Sequence, residues 1–97
     1  MPTYVLLTTF TQQGVENVRD SPRRTEHARE MIESLDGTWH DFFITIGRYD
    51  GVVVADFPDD ATAAQAVFTL AESGNVTVEP LQAFTLDEFR DIVDAMP

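Results

Sequence analysis

Tyr49 and Asp50 stand side by side in Gly47-Arg48-Tyr49-Asp50-Gly51, where polar chemistry and turn chemistry compete for the same residues. A phenol at a cavity mouth can donate a hydrogen bond or exchange a proton. An Asp-Gly step can equally serve a hairpin turn, with the tyrosine packed at a strand end. Arg24 lies four residues before Ala28 and continues that residue's inward-facing stripe, where an apolar side chain is expected. A half-buried guanidinium calls for a carboxylate partner or an anionic ligand. Glu79 and Asp56 are the carboxylates expected on nearby strands. Asp56 follows Val52-Val53-Val54-Ala55 and would become a base if it faced an enclosed pocket, or remain an ordinary solvated carboxylate at a strand end.

Other chemistries find less support. His27 and His40 are the only histidines, and no third ligand stands at a useful spacing, so no metal site is expected. His40-Asp41 would form an acid/base pair only by converging, yet neighbours on a strand point to opposite faces. The chain has no cysteine, which excludes a thiolate nucleophile, a disulfide framework and a cysteine zinc site. Neither Ser34 nor Ser73 sits in a nucleophile elbow, and no glycine-rich phosphate loop is present. No cofactor is implied.

The elements that must position these side chains are well marked. Tyr4 to Phe10, Trp39 to Ile46, Val52 to Phe57 and Val76 to Phe84 read as strands, and Pro80 places the last at an edge or a bulge. Thr11 to Gly14 breaks the first strand, with a short turn over Val15 to Val18. A helix opens at Asp20 or Ser21 with Pro22 in its first turn, buries Ala28, Met31, Ile32 and Leu35, and stops at Gly37. A second opens at Pro58-Asp59-Asp60 and ends at Gly74. Thr85 and Glu88 have capping-box spacing, and Phe89, Ile92, Val93 and Met96 form a stripe on a C-terminal helix. The order βαββαβ, with one helix more, predicts a single α+β domain over residues 1–97. Its architecture is the ferredoxin-like plait, a four-stranded antiparallel sheet with two helices on one face.

Both faces of these strands carry apolar residues. Trp39 and Phe43 are expected on one face of the second strand and Phe42, Ile44 and Ile46 on the other. In the first strand Tyr4, Leu6 and Phe10 oppose Val5 and Leu7. A sheet with one solvated face alternates more strictly. The second face therefore calls for a cover, either the C-terminal helix or another subunit, and a sheet-to-sheet homodimer or higher homo-oligomer is the expectation.

Seventeen acids against six basic residues, all arginine, give a formal charge of −11. Such a surface repels nucleic acid and anionic membranes. It suits a salt-rich cytoplasm, because at 1 M salt the Debye length is about 3 Å; a halophilic source is expected. No apolar run is long enough to span a bilayer. Met1-Pro2-Thr3-Tyr4 lacks the marks of a secretory signal, so a cytoplasmic location is expected.

Thr11-Gln12-Gln13-Gly14, Ser21-Pro22-Arg23-Arg24, Gly47-Arg48-Tyr49-Asp50, Phe57-Pro58-Asp59-Asp60 and Gly74-Asn75-Val76 together resemble the GYD-domain family. The resemblance implies a ferredoxin-like fold in the wide grouping of dimeric α/β barrels, where cofactor-independent enzymes, haem enzymes and proteins of no known activity all occur. Two readings follow. In the first, the chain binds or transforms a small molecule in a cavity on the sheet face, lined by Tyr4, Trp39 and Phe43 with Arg24, Tyr49 and Asp56 as polar contributors. In the second, it is a non-catalytic assembly or regulatory module, and those aromatic residues are dimer core.

Overall fold

A computed structural model describes all residues, 1–97. Strand β1 (Thr3–Phe10) is followed by a short helix α1 (Gln12–Glu16), a 3-10 turn at Val18–Asp20 and helix α2 (Ser21–Ser34). The chain continues through β2 (Thr38–Ile44), β3 (Gly51–Asp56), α3 (Asp60–Glu72), β4 (Val76–Ala83) and α4 (Leu86–Asp94). The strands form one antiparallel sheet in the order β2-β3-β1-β4. This is the plait that the element order predicts, with Pro80 on an edge strand, where a missing N–H is tolerated.

Local chemistry explains most of the boundaries. The Thr11 hydroxyl accepts the Gly14 amide and starts α1 within the stretch expected to be only a break. Asp59 caps α3 through the Thr62 amide, and Thr85 and Glu88 complete the capping box of α4. Helix α2 differs: neither Asp20 nor Ser21 supplies a side-chain cap, and Pro22 alone marks its first turn. At its end the left-handed residue is Asp36 (φ 62°), one position before the glycine expected there. In the β2–β3 connection positive φ falls on Gly47 (φ 144°) rather than on Asp50-Gly51; Gly51 instead begins β3 as a buried residue. Strand β2 accordingly ends at Ile44, and Ile46 is fully exposed in the loop.

The core lies between the sheet and α2 and α3. Leu6, Ile32, Val53, Ala55, Phe57, Ala63 and Ala66 are buried there, with Tyr4, Met31, Trp39, Phe42 and Leu70 packed around them. The expectation for β2 needs correcting. A bulge between Trp39 and Asp41 shifts the register, so Trp39 lies opposite Ala55 and Phe42 opposite Val53, both on the helix side. Their rings stack at 6.0 Å with 27° between planes. Phe43, opposite Val52, is left on the other face and is 59% exposed.

No helix of the structure is long and apolar enough to cross a membrane. Helix α4 does not fold back onto the sheet. Phe84, Leu86, Phe89, Ile92, Val93 and Met96 all stay exposed. The radius of gyration is 14.5 Å, against about 12.5 Å for a compact chain of this length. The longest dimension is 51 Å, as a projecting helix requires.

Candidate functional site

Two features stand out, one on each side of the sheet. On the helix side, α2 stands off from the sheet and α3 and leaves a cleft of about 230 Å³. Its apolar walls come from Phe10, Met31, Trp39, Phe42, Val53 and Leu70. Its polar groups come mainly from one end of the sheet, where β1 finishes and β3, β4 and α2 begin: Ser21, Arg24 and Thr25 on α2, Asp50 before β3, and Ser73 and Asn75 before β4.

Arg24 is half-buried at this cleft. Its guanidinium donates to the Asn17 carbonyl at 2.7 Å and to the Ser21 hydroxyl at 2.9 Å. The expected carboxylate partners are both committed elsewhere. Glu79 accepts from the Tyr49 hydroxyl at 2.6 Å, and Asp56 accepts from the Thr3 hydroxyl and faces His40 Nε2 at 2.8 Å. No ion pair forms at Arg24, whereas Arg29 and Arg90 are paired with Glu33 and Asp87.

On the other side, the sheet carries no covering element. Strand register places Val5 and Leu7 of β1, Val52 and Val54 of β3, Phe43 of β2 and Leu81 of β4 together on this open face. Asp41 of β2, opposite Val54, flanks the apolar field on this face, and further polar groups bound it at both ends. At one end stand Thr3, Asp56 and His40, and at the other Tyr49 reaches Glu79. The Thr3 hydroxyl, and then His40, hold the Asp56 carboxyl below the usual aspartate range. Asp56 is therefore a settled carboxylate and not the raised-pKa base that an enclosed pocket would create. The Glu79 carboxylate keeps the Tyr49 phenol protonated above its ordinary range.

The six residues singled out from the sequence do not converge. Arg24 and Trp39 line the cleft under α2. Tyr4 lies on the helix side but away from that cleft, edge-on to Phe57 at 5.9 Å and donating to Asp60 at 2.8 Å. Phe43, Tyr49 and Asp56 belong to the open face. His40 meets Asp56 across the sheet instead of its neighbour Asp41, and no three His, Cys, Asp or Glu side chains cluster as a metal site would need. Among cleft residues, Met31 was legible from the α2 stripe. Phe42 was not, because the bulge that turns it inward carries no glycine or proline to announce it.

Asp50 proves to be a clamp. Its carboxylate accepts from the Phe10 amide at 2.8 Å, its own amide donates to the Thr8 carbonyl, and its carbonyl accepts from the Thr45 amide. The Tyr-Asp pair thus fixes the β2–β3 loop twice, through Asp50 to β1 and through Tyr49 to β4.

Comparison with known proteins agrees with this frame. The chain is 32% identical over 90 residues to a glutamine synthetase and cystathionine beta-lyase binding protein of Thermus thermophilus, covering 86% of this chain and 88% of that protein. No solved structure matches. The family profile described as the GYD domain matches residues 4–93, which takes in all but the first residue of the plait and most of α4, and the chain belongs to the GYD domain family.

Proposed function

We propose that this chain is a non-catalytic, protein-binding module that works as a homodimer joined through the open sheet face. The observation that carries the reading is the continuous apolar field of Val5, Leu7, Phe43, Val52, Val54 and Leu81, left without cover in the single chain. At its ends Asp56 meets His40 and Glu79 accepts from Tyr49, and Asp41, opposite Val54 on the same face, has to stay at the wet rim of the contact, since a carboxylate enclosed without a partner is costly.

Size argues for a role of α4 in the same contact. Four strands about 4.8 Å apart and about 20 Å long present roughly 400 Å², half of the about 800 Å² per partner in a standard interface. The exposed stripe of Phe89, Ile92, Val93 and Met96 supplies the remainder when α4 clasps the other protomer. Such an arrangement is isologous, because each subunit gives both a sheet and a helix.

The relative from Thermus thermophilus is named as a binding protein for two enzymes, and a similar role follows here: the assembled module docks on metabolic enzymes. The test is direct binding of the purified protein to glutamine synthetase and cystathionine beta-lyase from the same organism, by surface plasmon resonance in molar salt. Saturable binding to either enzyme supports the reading. Loss of that binding in a monomeric variant ties it to assembly, and binding to neither enzyme contradicts the enzyme-docking part of the proposal.

A further inference from the structure

The geometry points to a ligand site under α2 that takes a small monocarboxylate with an apolar body, independently of how the sheet face is covered. Arg24 carries the first half of the argument. A guanidinium has five N–H donors, and Arg24 engages a carbonyl and a hydroxyl, both neutral. It stands half-buried without a counter-ion in a chain with a large excess of carboxylates. Neutral acceptors compensate a cation's desolvation poorly, and an anionic ligand with two oxygens matches the guanidinium fork.

The cleft supplies the second half. Beyond Arg24 the lining combines polar residues, His27 and Asn75 among them, with the larger apolar side chains of Phe10, Met31, Trp39, Phe42 and Leu70, and these last favour an aliphatic or aromatic body for the ligand. At about 230 Å³, the space lies just below the usual range of about 300–1,000 Å³ for ligand pockets. The occupant is correspondingly small, on the order of ten non-hydrogen atoms. Asp50 also lines the cleft, with one oxygen held by the Phe10 amide. A carboxylate in the lining repels anionic groups away from the Arg24 guanidinium, so a ligand with one anionic group is favoured over one with two.

Trp39 is the only tryptophan and lines the cleft, so its fluorescence reports occupancy. The probes are 3-phenylpropionate and its neutral isostere 3-phenylpropionamide, titrated into the intact protein. The acid is expected to give a saturable change in Trp39 emission with at least tenfold tighter binding than the amide. In Arg24→Met the acid should fall to the amide's affinity while the amide is unaffected, and Arg24→Lys should recover part of the difference. Equal affinities for acid and amide in the unmodified protein, or no saturable binding of either, would overturn the assignment without recourse to any variant.

Discussion

The Asp50 carboxylate accepts a 2.8 Å hydrogen bond from the backbone amide of Phe10, forty positions earlier in the chain. That bond satisfies the last amide of β1 and locks the loop between β2 and β3 against the centre of the sheet, alongside the Asp50 amide bond to Thr8. Asp50→Ala leaves the Phe10 amide without its partner in a part-buried site and should destabilise the fold by about 1–3 kcal/mol. Asp50→Asn keeps an acceptor oxygen and should lose less. Urea unfolding of the two variants checks the order, and an unchanged midpoint for Asp50→Ala would show that water replaces the clamp.

Two hydrogen-bonded groups on the open face, Asp56 and Tyr49, set opposite pH dependences. The Asp56 carboxyl is held low by the Thr3 hydroxyl and His40. It contributes stability above the ordinary aspartate pKa of about 4, and that contribution is lost as the pH falls through its lowered folded value. The Tyr49 phenol is held high by Glu79. It contributes below the ordinary tyrosine pKa of about 10 and loses that contribution as the pH rises through its raised folded value. Asp56→Asn should therefore flatten the acid limb of a stability profile, and Tyr49→Phe the alkaline limb. Tyrosinate absorbance should also appear later in the native protein than in the unfolded chain, since Tyr4 is raised in the same way by Asp60.

Gly14 is required by a close approach and not by its backbone angles. A Cβ there would lie 2.0 Å from the Asn75 carbonyl oxygen, the same atom that accepts the Thr11 amide. Both are backbone groups, so neither can swing aside. Gly14→Ala should cost about 1–3 kcal/mol through overpacking. Gln12→Ala, on the exposed side of the same short helix, should stay within about 0.5 kcal/mol. Similar losses for both would remove the steric explanation.

The formal charge of −11 makes stability depend on screening. The Debye length grows from about 3 Å at 1 M salt to about 10 Å at 0.1 M, and mutual repulsion among the acids grows with it. The melting temperature should fall on dialysis from molar salt to below about 0.1 M. A flat profile would mean that the acidic surface is not an adaptation to high salt.

The fold was legible because its signals are local. The α2 stripe, the capping box at Thr85 and Glu88, and Pro80 each act within a few residues; the capping box and Pro80 are found in their expected roles, while of the stripe only Ile32 is fully buried, Ala28, Met31 and Leu35 being half-buried. The site was harder to read. A bulge moves Trp39 and Phe42 onto one face, which strict alternation cannot anticipate. The partners of Asp56 and Glu79 come from strand pairing and a distant loop, which no sequence window contains. Arg24 was recognised from its place in the stripe, but its neutral partners lie in the turn before α2 and in that helix's first turn, where a carboxylate was sought across the sheet. The exposed stripe of α4 is visible in sequence, yet whether it folds back is decided by tertiary packing.

Whether the open face joins two copies can be read by sedimentation velocity in molar salt, comparing the unmodified protein with Val54→Asp and with a chain ending after Thr85. The unmodified protein is expected to sediment as a species of twice the chain mass. Val54→Asp, checked as folded by circular dichroism, should sediment as a monomer, because it sets a second carboxylate between Val5 and Asp41 on the open face. Loss of α4 should weaken the dimer measurably. A clean monomer for the unmodified protein across the accessible concentrations would contradict the account, and the open face would then need a different protein to cover it.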